Sequence, residues 1–281
     1  MTTDSYIPQL GAGSALGRSI RLRRLFGEDG KAVVVALDQA VPRGVAPRLA
    51  AIRDTWAQID AGEPDAVTVS KGIAATLFGG RGRSRPWILK ASTFSVEFHL
   101  TYDATVASVD EAVRLGADAV AVGISAGSSV QAQMLEMLSR VTERAAELGL
   151  PTVCHAYPSG ELWGDRKGSV ESVLYAARAA AECGVDIIKT WYTGSAESFR
   201  EVVDGTPGLV MVAGGAKLDT DLEVLQFAES VVDAGAAGLT IGRNVWGAAD
   251  PAGMVKALRA IVHEGVSASE AARSHLIATT A

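Results

Sequence analysis

The sequence predicts an α/β protein: one (β/α)8 TIM barrel carrying an N-terminal helical extension. Three observations lead there. First, eight short apolar runs recur along the chain, each followed by a segment whose apolar residues have helical spacing. The runs are nearly continuous in Val, Ile, Leu and Ala, as strands covered on both faces must be. Second, glycine recurs at the helix-to-strand junctions, in Leu115-Gly-Ala-Asp118, Leu148-Gly-Leu-Pro151, Cys183-Gly-Val-Asp186 and Ala234-Gly-Ala-Ala237. Glycine fits the left-handed position that ends a helix, and repeated units of this kind make a parallel sheet with right-handed crossovers. Third, about eight units in 281 residues suit a closed barrel, for which about 250 residues is usual. No Gly-x-Gly-x-x-Gly follows the first strand, which weighs against an open dinucleotide-binding sheet.

In chain order, residues 1–30 form an arm and a helix. The arm is 1–13, and the helix, 14–26, spaces Leu16, Ile20 and Leu25 to plug or cover one end of the barrel. Residues 31–265 hold the barrel. Its strands are expected at 32–38, 65–70, 87–91, 118–124, 151–156, 185–189, 209–213 and 238–241, with helices between them and a polar loop after the third strand. The last helix is 251–264, and 266–281 is a C-terminal tail.

Composition narrows the function. A net charge of -6 needs no basic face, which argues against nucleic-acid binding. The arginines at 18, 21, 23 and 24 read as a solvated helix face. Those at 81, 83 and 85 either attract an anionic substrate or face solvent. Cys154 and Cys183 lack metal-ligand spacing and read as two buried thiols in a reducing cytosol. No run approaches the ~20 apolar residues of a membrane span, so the expectation is a cytoplasmic protein with no membrane partner.

In such barrels the active site lies at the carboxyl ends of the strands. Those ends read Asp38, Lys71, Ser92/Thr93, Ser125, His155/Tyr157, Lys189, Gly214/Gly215 and Gly242/Arg243. Ionisable groups at four or more ends exceed what packing requires. Lys189 closes the apolar run Val185-Asp-Ile-Ile-Lys189. Burying its cation is costly, so its pKa should fall towards that of a reactive amine, the condition for attacking a ketone to form a Schiff base. The glycines after the seventh and eighth strands let backbone N–H groups approach a phosphate, with Arg243 adding a charge-assisted contact. A proton shuttle is also needed. Tyr157 supplies a phenol, or is a core tyrosine with its hydroxyl satisfied. Asp38 holds a substrate hydroxyl or takes its proton, or is a turn acid. His155 shares the face of Tyr157 or is structural. Lys71 has the weaker case, because it could pair with Asp38 across neighbouring strands.

Several stretches resemble the class I aldolases of the archaeal fructose-bisphosphate aldolase and 2-amino-3,7-dideoxy-heptulosonate synthase type. They include Ala32 to Gly44, Lys90-Ala-Ser-Thr93, His155-Ala-Tyr-Pro158, Asp186-Ile-Ile-Lys-Thr-Trp-Tyr-Thr-Gly194, Ala213-Gly-Gly-Ala-Lys217 and Ile241-Gly-Arg-Asn244. The resemblance runs from about residue 30 to 265. It implies Lys189 as the Schiff-base lysine, Tyr157 as proton donor and Asp38 as the acid on the substrate. It puts Gly214, Gly215, Gly242 and Arg243 at the phosphate, and implies a homo-oligomer of pentameric rings, up to a decamer. The chain departs from the family at Gln39, where a histidine is usual, at Ser159, where an arginine is usual, and at Ala216, usually proline. Arg43 could replace the missing cation from the first loop.

The function expected is therefore a Schiff-base aldolase, without metal or cofactor because the protonated imine is the electron sink. It would join or cleave a phosphorylated ketone such as dihydroxyacetone phosphate and a small aldehyde, not fructose 1,6-bisphosphate. Two alternatives are a thiolase-like acyl transfer from a phosphorylated ketone to coenzyme A, and a barrel that binds phosphate without turnover.

Overall fold

The computed structural model describes residues 12–80, 85–95 and 101–276. Of the arm expected at 1–13, residues 1–11 lie outside the described residues, as do the arginines at 81 and 83, and 12–13 open the first helix. Strands β1 (Ala32–Ala36), β2 (Ala66–Val69) and β3 (Trp87–Lys90) are followed by a hairpin of β4 (Ser92–Ser95) and β5 (Thr101–Thr105). The remaining strands are β6 (Ala119–Ser125), β7 (Thr152–Tyr157), β8 (Ile187–Thr190), β9 (Leu209–Ala213) and β10 (Gly238–Ile241). All except β4 and β5 close into one parallel barrel in the order β1-β10-β9-β8-β7-β6-β3-β2. The eight barrel strands match the eight expected runs, and the glycines at 116, 149, 184 and 235 all have positive φ, from +62° to +84°.

The hairpin corrects the expectation of a polar loop after the third strand. Its residues, Ser-Thr-Phe-Ser and Thr-Tyr-Asp-Ala-Thr, are rich in β-formers. The N–H groups of Val106 and Ala107 both donate to the Ala91 carbonyl, at 2.7 and 3.1 Å, and fix its base to the end of β3.

At the opposite, N-terminal end, the helix Ala12–Leu25 covers the barrel floor, but of the three apolar residues expected to do so only Leu25 is buried; Leu16 and Ile20 are exposed. Leu25 is buried with Ala32, Val34, Ala66, Ile88 and Met211 of the strands, and Leu22 and Phe26 pack beside it. Burying one leucine in this way contributes about 2 kcal/mol. The arginines of this helix are a solvated face only in part: Arg23 is exposed, as expected, while the other three meet partners on the barrel. Arg18 is only 6% exposed and is paired with Asp186, itself 8% exposed. Arg24 pairs with Asp118 at 2.9 Å, and Arg21 donates to the Gly149 carbonyl. Once the helix lies across the barrel floor, its basic groups meet the carboxylates that line the strand starts.

Those carboxylates follow a rule. Asp65, Asp118 and Asp186 each stand just before a strand, and each accepts the N–H of a residue opening or inside the neighbouring strand: Val33 at 2.7 Å, Trp87 at 3.0 Å and Thr152 at 2.8 Å. Asp65 is also held by Arg259 and by His263, whose other ring nitrogen lies 3.1 Å from Asp29. This cluster ties the last barrel helix to the first two strands. Within the stretch expected as a tail, Ala268–His275 forms a further helix that buries Ala268 and Ala271. No helix among the described residues is long and apolar enough to cross a membrane.

Candidate active site

A cavity of about 360 Å³ opens at the carboxyl end of the barrel. All nine residues singled out from the sequence line it: Asp38, Arg43, His155, Tyr157, Lys189, Gly214, Gly215, Gly242 and Arg243. They come from five strands or the loops that follow them, and only the closed barrel brings them together.

Lys189 sits on β8 between buried Ile188 and Thr190, and is 6% exposed. Thr190 Oγ1 donates to the Ala156 carbonyl at 2.8 Å, which fastens the end of β8 to β7. Parallel pairing then places His155 beside Lys189. Burial pushes the Lys189 ammonium down from its usual 10.5 to about 8. Asp38 works against that shift, and Lys90 and Arg43 reinforce it. A lysine in this state holds a useful fraction of free amine near neutrality.

Tyr157 follows two residues after His155 on β7, on the same face, with ring centroids 6.1 Å apart. Its ring stacks on Trp191 at 5.7 Å, so the phenol is held from the side. Burial, with help from Asp38, pushes its pKa well above 10, and the group is a phenol, not a phenolate, at any working pH. His155 is 4% exposed. Burial, then the charges of Lys189 and Lys90, hold its pKa well below the usual 6.5, so its ring is neutral. Its Nε2 has no hydrogen-bond partner among the described residues. A buried polar atom facing a cavity without a partner is costly unless a ligand supplies one.

Beyond β9 and β10 the two glycine loops are stapled together by Asn244, which is 1% exposed. Its amide donates to the carbonyls of Gly214 and Ala216, and its oxygen accepts from Leu218 N–H. Arg243 donates to the Gly215 carbonyl at 2.7 Å. Gly214 is a close-approach glycine: a Cβ there would stand 2.5 Å from Ile241 Cγ1. Its N–H already donates to the Thr240 carbonyl. An anion in this corner would therefore meet the Gly215 and Gly242 backbone and Arg243.

The substituted positions have local partners. Gln39 lies against Gly242, where a Cβ would come within 2.4 Å of the Gln39 amide nitrogen. Ser159 pairs with Ser125 through their hydroxyls at 2.6 Å. Arg43, in the short helix Ala40–Arg43, lines the same cavity as Ser159. Lys71 does not pair with Asp38; it reaches outward to Glu111 at 3.1 Å. Arg85 bonds Asp60 and Glu63, away from the cavity.

The sequence reading missed Lys90 as a site residue. It is 7% exposed, lines the cavity and donates to Ser92 Oγ at 2.9 Å. Its signal was present: Trp87-Ile-Leu-Lys90 is an apolar strand ended by lysine, like Ile187-Ile-Lys189. Asn244 was missed as well, and only the folded loops reveal its role.

A parallel eight-stranded barrel with a buried, partly deprotonated lysine beside a phenol and a carboxylate is equipped for imine chemistry. Known proteins agree. The chain belongs to the DeoC/LacD family of aldolases, whose model matches residues 32–248, and it is accordingly an aldolase of the Schiff-base, class I kind. It is 35% identical over 263 residues to the 2-amino-3,7-dideoxy-D-threo-hept-6-ulosonate synthase of Halobacterium salinarum, covering 93% of this chain and 97% of that one. It is 34% identical to the class 1 fructose-bisphosphate aldolase of the same species, covering 88% and 95%. An archaeal fructose-1,6-bisphosphate aldolase, solved with its catalytic lysine covalently bound to the carbinolamine intermediate of the substrate, superimposes with a TM-score of 0.79 at 32% identity. That match covers 87% of this chain and 99% of the solved one.

Proposed function

We propose that the protein is a class I aldolase in which Lys189 forms the imine with a phosphorylated ketone donor such as dihydroxyacetone phosphate, and joins it to a small aldehyde. The observation that carries this reading is the buried Lys189, lowered to about 8 and facing a cavity that it shares with Tyr157 and Asp38. The Lys189 amine attacks the ketone carbon, and the carbinolamine loses water to give a protonated imine. Loss of a proton from the adjacent carbon then gives an enamine, whose carbon attacks the aldehyde carbon while the aldehyde oxygen takes up a proton. Hydrolysis returns the amine. Tyr157, kept as a phenol by burial, gives the proton and takes it back, and Asp38 accepts the proton from carbon. The donor phosphate lies against Gly215, Gly242 and Arg243, with Gly214 shaping the turn. The neutral His155 offers its Nε2 to a substrate hydroxyl, and Arg43 reaches the acceptor.

The loss of the family's arginine at Ser159 leaves the acceptor side with less positive charge at that position, which supports an acceptor without a phosphate. The enzyme is expected to act in the cytoplasm and, by the same family resemblance, as a homo-oligomer, with sedimentation the check on a decamer. The test of the reaction is dihydroxyacetone phosphate offered with a panel of aldehydes and read by mass spectrometry. New products with unphosphorylated aldehydes and none with glyceraldehyde 3-phosphate are expected. Absence of any product, together with no exchange of the ketone's C3 proton in heavy water, would overturn it.

A further inference from the structure

The ladder between β9 and β10 stops where the proposed phosphate corner begins. Thr240 pairs with Ala213, and the last bond runs from the Gly214 N–H to the Thr240 carbonyl at 3.0 Å. Beyond it no strand pairing holds the two loops, and the short helix Arg243–Trp246 takes over. Asn244, 1% exposed, donates both amide hydrogens, to the carbonyls of Gly214 and Ala216 at 2.8 and 2.9 Å, and its oxygen accepts the Leu218 N–H at 2.8 Å. These three partners fix the orientation of the amide, because a flip would set its oxygen against two carbonyls. Arg243 holds the carbonyl between them, that of Gly215, at 2.7 Å. Three consecutive carbonyls therefore turn towards one helix. Successive peptides face the same way where a left-handed residue joins them, and Gly215, at φ +64°, is that residue. A trans peptide is planar, so the N–H across the bond from a held carbonyl points the opposite way. In the peptide whose carbonyl is that of Gly214, this is the Gly215 N–H. It has no hydrogen-bond partner among the described residues, and Gly215 lines the cavity.

We propose that Asn244 is a positioning residue for the donor phosphate: by holding the carbonyls of Gly214 and Ala216 it keeps the Gly215 N–H turned out as a donor for the anion, alongside Gly242 and Arg243 on the next loop. The inference rests on the reading of this corner as the phosphate site and names what pre-forms it. An N–H already aimed at the anion needs no reordering when the ligand arrives, so its hydrogen bond goes into affinity. Without the Asn244 amide the turn is free to rotate, and a rotated 214–215 peptide would offer the phosphate a carbonyl oxygen in place of an N–H. The geometry calls for asparagine: aspartate has no donors, and serine has one O–H for two carbonyls. Asn244 is not among the described residues that line the cavity, so it acts through the backbone and not by touching the ligand.

The experiment compares borohydride trapping of dihydroxyacetone phosphate and of unphosphorylated dihydroxyacetone on the full-length protein, read by intact mass, at concentrations where the rate is proportional to ketone. In Asn244→Ala the rate with dihydroxyacetone phosphate is expected to fall roughly tenfold, as losing one charge-assisted hydrogen bond would do. The rate with dihydroxyacetone, which has no phosphate to hold, should fall far less. Inorganic phosphate, as a competitor of the phosphorylated ketone, should need a roughly tenfold higher concentration in the variant for the same inhibition. Where Asn244→Ala does not fold, Asn244→Ser is measured in its place and should lose in the same direction. An unchanged preference for the phosphorylated ketone in whichever variant folds would overturn the proposal. An equal loss with both ketones, the mark of a merely structural residue, would overturn it too. A wild type that traps both ketones alike and is not inhibited by phosphate would instead overturn the phosphate reading on which it rests.

Discussion

If burial sets the reactivity of Lys189, the pH dependence of imine formation should show it directly. A lysine at its usual 10.5 is about 0.03% amine at pH 7, whereas one near 8 is roughly 10% amine, a gain of about 300-fold in attacking species. The perturbation that isolates the cause is Asp38→Asn. Asp38 is the group that stabilises the Lys189 ammonium, so removing its charge should lower the midpoint below 8 while slowing the later proton transfers. The assay is borohydride quenching of the protein with dihydroxyacetone phosphate at a series of pH values, with the adduct fraction read by intact mass. Because Asp38 also takes part in the chemistry, the midpoint and not the amplitude carries the argument. A wild-type midpoint at or above 10 would refute the claim that burial activates Lys189. A midpoint that rises in Asp38→Asn would refute the electrostatic account.

Two further predictions concern the scaffold. Arg18→Met leaves Asp186 buried without its cation, which should cost about 3–5 kcal/mol and lower Tm by roughly 6–15 °C in a domain of this size; calorimetry showing a drop under about 2 °C would mean that the N-terminal helix is not pinned through this pair. The His263 cluster should make stability pH-dependent, because hydrogen bonding to Asp65 raises the His263 pKa above its usual 6.5. Its contribution is full below 6.5 and fades as pH rises through the raised value. Burial opposes the Asp65 carboxylate, but hydrogen bonds from His263, Val33 and Arg259 outweigh it and hold its pKa below the usual 3.8. That contribution is present above 3.8 and fades as pH falls through the lowered value. The wild type should therefore lose more Tm than His263→Gln between pH 6 and 9, and parallel curves for the two proteins would count against the cluster.

Much of the barrel was legible because its signals are local. An apolar run, a polar end and a glycine at each helix terminus recur in the chain, and each is a consequence of backbone geometry within a few residues. The strand ends were legible for the same reason, and Lys189, Tyr157 and Asp38 do converge on one cavity. What escaped depends on partners far along the chain. The arginine at 18 looks like its neighbours at 21, 23 and 24, and only the seating of the helix selects it to meet Asp186, 168 residues away. Asp65, Asp118 and Asp186 read as simple junction residues until the neighbouring strand brings an N–H to each. The hairpin after β3 hid the Lys90 strand end, because polar Ser92 and Thr93 drew attention two residues too far. Its two strands are too short and too polar for their alternation to stand out from a loop.

The central claim is that Lys189 carries the covalent chemistry, and one measurement meets it most directly. Wild type and Lys189→Met are incubated with dihydroxyacetone phosphate, reduced with borohydride and weighed intact. The account predicts one stable adduct per chain in the wild type, mapped to Lys189, and none in the variant. An adduct of equal yield in Lys189→Met, or no adduct in the wild type, would contradict it.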